Sequence, residues 1–158
     1  MTTTNAIRES GSIQYLDLSD QVRAGLKRIF ELDATRVKEA AEQPMEMLDD
    51  LEDVVWRAQR LIALWNAADC GRISLKDARS VVASVTEERD YCLQQIVTDL
   101  EHRKLYVDGD EGWGYGGPGS DFESSLQNYA SEISDYLVQA NRCDAFLRLV
   151  ADAERKAA

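Results

Sequence analysis

Residues 106–123 read YVDGDEGWGYGGPGSDFE and contain six of the nine glycines in the chain together with five carboxylates. An EF-hand calcium loop requires oxygen ligands at fixed offsets, a glycine at position 6 and a glutamate at position 12. When the count starts at Asp108, Trp113 occupies position 6 and Gly119 occupies position 12. The segment therefore does not match an EF-hand, which leaves weak cation binding by its acids as its only metal function.

A phosphate-binding loop combines glycines with a lysine that follows them. No lysine or arginine occurs in residues 105–141, and the carboxylates of this segment would repel a phosphate. We interpret residues 107–120 as a Gly-rich acidic loop that connects two helices. Trp113 and Tyr115 are large aromatic residues of that loop, and aromatic residues dominate the binding energy of protein interfaces. They are candidates for contact with a protein partner, or for packing over the end of the helices.

His102 is the only histidine in the chain, and it follows Asp99 at helical spacing. A di-iron helical bundle needs two Glu-x-x-His pairs, so one Asp-x-x-His pair does not build such a site. No cysteine is placed by its spacing to act with His102 as a catalytic pair. We therefore predict no metal site and no cofactor.

Two pairs of carboxylates leave an enzymatic alternative open. Asp49-x-x-Glu52 and Glu87-x-x-Asp90 each place two acids on one face of a helix. The spacing resembles that of all-α, magnesium-dependent nucleotide pyrophosphatases, in which such pairs on facing helices hold the metal. Acids at this spacing are also common on solvated helix faces. We expect a protein that is not an enzyme, with the pyrophosphatase as the alternative.

The chain has 158 residues and a formal net charge of −11. This charge disfavours direct binding to nucleic acid or to an anionic membrane. Residues 39–53 contain seven acids and no base, and residues 108–141 also contain seven acids and no base. Such blocks are either solvated faces or docking surfaces for a protein partner with a basic surface.

The three cysteines, Cys70, Cys92 and Cys143, are an odd number at wide spacings. This pattern favours reduced thiols that pack as small apolar side chains over a disulfide framework. The first residues are polar and lack the apolar stretch of a signal peptide. No run approaches the roughly 18 apolar residues of a membrane span. We therefore expect a cytoplasmic protein with no membrane partner.

Apolar periodicity predicts four helices. They cover Ser19–Gln43, Met45–Cys70, Leu75–Tyr106 and a segment that begins after Ser120 or Asp121. On the second helix, Leu51, Val55, Ile62 and Trp65 step by three and four residues, so we expect them to face the core. Gly71 is predicted to cap the end of that helix. Residues 1–16 are predicted to form a polar N-terminal arm, because the stretch IQYLDL has no visible partner strand.

These segments predict a single all-α domain over residues 1–158. Its architecture is an antiparallel four-helix bundle with the Gly-rich acidic loop between helices 3 and 4. In an up-and-down bundle, the connection between helices 1 and 2 lies at the same end as the connection between helices 3 and 4. The two acidic blocks would then converge at one end of the molecule.

We expect a non-catalytic protein-binding module that steers a basic partner by charge. Its sharper form is an inhibitor or adaptor that covers a nucleic-acid-binding surface with carboxylates in place of phosphates, by analogy with acidic anti-defence proteins of phages. A further alternative is a self-associating structural or assembly protein, a homodimer for example, because the fourth helix has nearly heptad spacing. The residues predicted to contact the partner are Glu42, Glu46, Asp49, Asp50, Asp53, Asp108, Asp110, Glu111, Trp113 and Tyr115.

Overall fold

The computed structural model describes residues 13–43, 48–108 and 122–158. Over these ranges the chain forms β1 (Tyr15–Asp17), α1 (Asp20–Glu42), α2 (Leu48–Ala58), α3 (Leu61–Cys70), β2 (Arg72–Ser74), α4 (Leu75–Asp108) and α5 (Phe122–Ala157). The described residues are mostly helical, which confirms the all-α class. The antiparallel four-helix bundle stays a prediction, and the Gly-rich acidic loop lies outside the described residues.

The chain divides into two compact units. The first unit combines Met1–Thr86 with Arg142–Ala158, and the second unit is Glu87–Asn141. The long helices α4 and α5 contribute residues to both units. Among the described helices, none has the length and apolar character that crossing a membrane requires.

The core of the first unit is formed by apolar faces of α1, α3, α4 and α5. On α1, Val22, Leu26 and Ile29 are buried at intervals of four and three residues, which places them on one helix face. The same core contains Leu64 and Ala67 of α3, Ala78, Val81 and Val85 of α4, and Phe146 and Val150 of α5. Full burial of one large apolar side chain contributes roughly 1.5–3 kcal/mol, so this cluster is the main stabilising contact of the unit. None of the α2 side chains that the structure describes belongs to it.

The first unit also contains a two-stranded antiparallel sheet. β1 pairs with β2, and Leu16 lies opposite Ile73 with both side chains buried. The backbone N–H of Leu18 donates to Gly71 O at 2.9 Å, which continues the pairing to the end of α3. The structure therefore differs from the predicted unpaired arm at residues 15–17. The partner strand is three residues long with a single apolar residue, which is too short for a visible alternation.

The segment predicted as one helix from Met45 to Cys70 is divided between α2 and α3 at Gln59 and Arg60. In a continuous α-helix, the backbone N–H of Arg60 would donate to Trp56 O. Instead this N–H donates to Arg57 O at 3.1 Å, and the guanidinium of Arg60 donates to Trp56 O. The side chain thus takes the place of a backbone donor, and the helical hydrogen-bond ladder is interrupted.

The interruption changes which α3 residues are buried. Leu64 and Ala67 are buried, whereas Ile62 is 74% exposed and Trp65 is 55% exposed. The prediction that Ile62 and Trp65 face the core is therefore wrong. α3 ends at Gly71 as predicted, with φ 67° and an N–H that donates to Ala67 O at 3.0 Å. Glycine adopts this left-handed conformation without the steric cost of a Cβ.

The second unit consists of the last part of α4 and the first part of α5. The rings of Tyr91 and Tyr136 meet edge to face, with centroids 6.3 Å apart. Asp99 shares a hydrogen bond with Glu132. Because Tyr91 precedes Asp99 on α4 while Tyr136 follows Glu132 on α5, the two helices run antiparallel. The side chain of Cys92 is buried in this unit.

Gly25 sets the closest approach of α1 to α5 within the first unit. A Cβ at this position would lie 2.8 Å from the Cβ of Arg142. The Cβ of Arg142 is fixed to the backbone of α5, so a side chain at position 25 can be accommodated only if one helix shifts.

We expect Gly25→Ala to destabilise the protein by about 1–3 kcal/mol, the usual cost of overpacking. Alanine favours a helix interior over glycine by about 1 kcal/mol, so the clash has to exceed that gain. Urea unfolding followed by circular dichroism measures the difference, and Gly25→Ser should cost at least as much. An alanine variant as stable as the wild type, or more so, would show that α1 and α5 separate freely.

Candidate protein-binding surface on helix α2

Helix α2 is held to α1 by a buried ion pair. Arg57 Nη1 donates to Asp33 Oδ1 at 2.9 Å, and the side chains of both residues are almost completely buried. Arg57 Nε also donates to Asp53 Oδ2 at 2.9 Å, one turn earlier on α2. Asp53 in turn lies 3.9 Å from Arg36 Nη1 of α1. The inner face of α2 is therefore fixed by charged groups, because a buried charge is tolerated only when it is paired and hydrogen-bonded.

The burial of Arg57 decides which face of α2 points outward. At 100° per residue, Leu51 and Val55 lie on the side of the helix opposite Arg57. Both are exposed, Leu51 to 42% and Val55 to 54%. The prediction that Leu51 and Val55 face the core is therefore wrong. The apolar stripe of α2 was identified correctly, but this stripe is the outer face of the helix.

A groove of about 280 Å³ lies along this outer face. Its lining residues, which we call the α2 surface, are Leu51, Glu52, Val55, Trp56 and Gln59. The guanidinium of Arg60 lies 3.9 Å from the ring centroid of Trp56 and donates to Ser80 O of α4 at 3.0 Å. These contacts fix the aromatic wall of the groove, since a cation stacked on an aromatic ring contributes about 0.5–2 kcal/mol.

Two exposed carboxylates of α2 lack an ion-pair partner within the described part of the chain. Among the described residues, the carboxylates of Asp50 and Glu52 have no ion-pair partner. The nearby guanidinium groups are engaged, Arg57 by Asp33 and Asp53, and Arg60 by the Trp56 ring and the Ser80 carbonyl oxygen. The α2 surface thus combines exposed apolar side chains with the carboxylate of Glu52, which has no ion-pair partner among the described residues.

The structure places the predicted partner-binding residues in three different situations. Asp50 is exposed, and Glu42 is exposed with an ion pair to Lys38 at 3.9 Å. Asp53 is occupied by Arg57 and helps to hold α2, so its role is structural rather than that of an open contact. Asp49 lies in α2 and Asp108 ends α4, but their side chains are outside the description. The other predicted contacts, Glu46, Asp110, Glu111, Trp113 and Tyr115, lie outside the described residues.

The convergence of the two acidic blocks at one end of the molecule stays a prediction. It involves residues 109–121, which lie outside the described residues. Sequence reasoning missed Leu51 and Val55 as surface residues. The sequence did contain one signal, the basic residues Arg57 and Arg60 on the face opposite the apolar stripe. A buried, paired arginine on that face would turn the apolar stripe toward solvent.

The candidate metal and catalytic residues are not brought together by the geometry that is described. Asp99 is buried, whereas His102 is exposed one turn later on the same helix. Within residues 13–43, 48–108 and 122–158, no group of three or more His, Cys, Asp and Glu side chains is arranged to hold a metal ion. Cys92 and Cys143 are buried thiols, as predicted, whereas Cys70 is exposed rather than part of a core.

The second unit contains two neighbouring carboxyl groups, those of Asp99 and Glu132. Among the described N–H and hydroxyl groups, none donates to the buried Oδ2 of Asp99. Burial raises the pKa of the Glu132 carboxyl, and the hydrogen bond and negative charge of Asp99 raise it further. Burial also raises the pKa of the Tyr136 phenol. The charges of Tyr91, Asp99 and Glu132 raise the same pKa by smaller amounts. The neutral form of Glu132 is therefore favoured as a hydrogen-bond donor to Asp99.

We expect Arg57→Ala to destabilise the protein by about 3–5 kcal/mol, because the carboxylate of Asp33 stays buried without its cation. The double variant Asp33→Leu/Arg57→Met should lose much less, since it removes both charges and keeps the volume. Urea unfolding of the single and double variants gives the coupling energy. Additive effects of the two substitutions would contradict a role for this ion pair in anchoring α2.

We expect Glu132→Gln to stabilise the second unit at neutral pH. The folded-state pKa of Glu132 lies above its usual value of 4.5, so folding takes up a proton between these two values. The contribution of Glu132 to the free energy of unfolding is therefore largest below pH 4.5, and it falls as the pH rises through the folded-state pKa. Glutamine cannot ionise, so the variant should lose this dependence and converge with the wild type at low pH.

Hydrogen exchange of the amides in residues 122–141 measures this effect, because it reports local opening of the second unit. Asp135→Asn, an exposed acid on the same helix, is the control and should leave the pH dependence unchanged. Equal pH dependence of exchange in the wild type and in Glu132→Gln would refute the raised pKa of Glu132.

Comparison of the chain with protein-family models, with curated proteins and with solved structures finds no match. The function is therefore argued from the residues and geometry of this chain alone.

Proposed function

We propose that this protein is a non-catalytic acidic helical module that binds a basic surface of another protein, with the α2 surface as the contact. The observation that carries the proposal is the exposure of Leu51 and Val55 beside the carboxylate of Glu52, which lines the same groove, on a helix whose Asp50 is also exposed. An apolar pair framed by carboxylates is complementary to a protein patch that combines apolar side chains with lysines or arginines.

The apolar part of the α2 surface provides affinity. Leu51 and Val55 lie one turn apart, so an incoming side chain can remove both from water at once. Trp56 is already held by Arg60, so little conformational entropy is lost when a partner packs against it. Aromatic residues fixed in this manner are typical of interface hot spots.

The acidic part provides orientation and rate. Asp50 and Glu52 belong to the block of residues 39–53, which has seven acids and no base. Such a block attracts a basic partner over about one Debye length, roughly 8–10 Å at physiological ionic strength. In the sharper form of the proposal, these carboxylates replace the phosphates that a nucleic-acid-binding partner would otherwise contact. We further propose that the helices form an antiparallel four-helix bundle, in which both acidic blocks lie at one end.

We expect Leu51→Asp and the double variant Asp50→Lys/Glu52→Lys to abolish capture of the partner. The experiment immobilises the full chain, exposes it to a lysate of the source cells at low and high salt, and identifies the eluted proteins by mass spectrometry. A basic protein that is captured at low salt, released at high salt and lost with both variants supports the proposal. The matched control Glu31→Lys/Asp135→Lys changes the net charge equally at exposed residues of α1 and α5.

Three results would contradict the proposal. One is capture that the α2 variants leave unchanged. Another is loss of capture with the control variant as well, which would indicate a dependence on net charge alone. The third is the absence of any captured basic protein. Circular dichroism of each variant confirms that its helices are intact.

A further inference from the structure

The part of α4 in the second unit has an apolar stripe that faces solvent. Leu93, Val97 and Leu100 are 45%, 46% and 48% exposed. They are separated by four and three residues, and Val107 continues the same spacing with 46% exposure. This is the seven-residue repeat with which one helix packs along another.

Val97, the middle residue of the stripe, lies opposite the face by which α4 packs against α5. The buried residues Cys92 and Asp99 lie on that packed face. At 100° per residue, each of them is about 140–160° away from Val97 around the helix. The contact with α5 therefore leaves the stripe of Leu93, Val97 and Leu100 uncovered.

The charges at the two ends of the stripe have opposite signs. Asp90 continues the seven-residue spacing before Leu93, and Lys104 continues it after Leu100. Both side chains are exposed. Asp90 contacts the neighbouring Arg89 at 3.1 Å, an exposed pair of adjacent residues that contributes little. The stripe thus reads acid, three apolar residues, base over about 21 Å of helix.

We propose that the second unit is a self-association surface, on which the α4 stripes of two copies pair antiparallel about a two-fold axis near Val97. In this register Leu93 of each copy lies opposite Leu100 of the other. Asp90 of each copy lies opposite Lys104 of the other, so one residue pair forms twice, as a two-fold interface requires. The charge pattern is complementary to itself only when one helix is reversed.

The alternative occupants fit this stripe less well. A basic partner, as proposed for α2, would be repelled by Lys104 and by Arg103 beside it, both of which are exposed. Parallel pairing of two copies would place Asp90 against Asp90 and Lys104 against Lys104. The three apolar side chains that each copy contributes in this register supply only part of the area of about 800 Å² per partner that stable complexes bury, so we expect micromolar association.

The experiment uses the full chain and measures its mass in solution by sedimentation equilibrium, at concentrations from about 1 to 300 µM. We expect a monomer–dimer equilibrium for the wild type. Asp90→Lys and Lys104→Asp should each weaken association at least tenfold, because the change places like charges opposite each other twice. The double variant Asp90→Lys/Lys104→Asp should restore it.

The charge variants separate a specific contact from an effect of net charge. Asp90→Lys lowers the net negative charge, which by itself favours association of two acidic chains, so its loss reports the contact with Lys104. Asp135→Lys changes the charge by the same amount away from the stripe and should not weaken association. A monomeric wild type at 300 µM, or a double variant no better than the single ones, would overturn the proposal.

A cross-linking measurement tests the register. In a Cys70→Ser background, which removes the exposed native thiol, a short bis-maleimide should join two copies of Val97→Cys. His102→Cys lies on the same helix but points away from the axis, and it is the matched control. Equal yields for the two positions would refute pairing at Val97. The α2 variants should leave all these results unchanged, so this surface and the α2 surface fail or succeed independently.

Discussion

The ion pair between Asp33 and Arg57 is the constraint on which the exposed surface of the first unit depends. Both groups are buried, and a buried charge is stable only with its partner in place. The pair therefore fixes the rotation of α2 about its own axis more firmly than an apolar contact of the same size, which tolerates repacking. Because Arg57 occupies the inner face, the apolar residues of α2 have to point outward.

Each of the two units is stabilised internally by a different kind of contact. The first has a continuous apolar core that includes Leu26, Leu64 and Phe146, all essentially inaccessible to water. The second is a pair of antiparallel helices in which Asp99 is buried and the pKa of the neighbouring Glu132 carboxyl is raised by desolvation and by Asp99. A segment with few buried apolar side chains opens locally at a lower free-energy cost than a packed core. A second copy on the α4 stripe would supply the apolar burial that this hairpin lacks.

Sequence periodicity located most helix boundaries because the signals were local. Gly71 ends α3, and Leu75 begins α4, where the composition changes from apolar helix to turn and back. Periodicity could not reveal the break at Arg60, since it depends on one side chain reaching the carbonyl oxygen of Trp56. It could not reveal the β1–β2 pairing either, because that contact joins residues about 57 apart in sequence through strands of three residues.

The acidic residues expected to bind a partner illustrate the same limit. Composition identified the block of residues 39–53, but not which carboxylates in it are already neutralised within the fold. Asp53 is engaged by Arg57, whereas Glu52, one residue earlier, faces the groove beside Val55. Adjacent helical residues point about 100° apart, so a difference of one position decides whether a carboxylate pairs within the fold or lines the groove. The orientation of α2 is set by the ion pair of Arg57 with Asp33 of α1, which lies 24 residues earlier in the sequence.

The two proposed surfaces use charge in opposite ways, and this allows one acidic chain to carry both. On the α2 surface, the carboxylate of Glu52 has no ion-pair partner among the described residues, so the proposed partner brings the positive charge. The α4 stripe carries one charge of each sign, so a reversed copy of itself is its complement and a uniformly basic partner is not. Discrimination of this kind needs a repulsive element as well as an attractive one. Lys104 provides it on α4 against a basic partner, and parallel pairing of two copies is disfavoured because it would place Asp90 against Asp90 and Lys104 against Lys104.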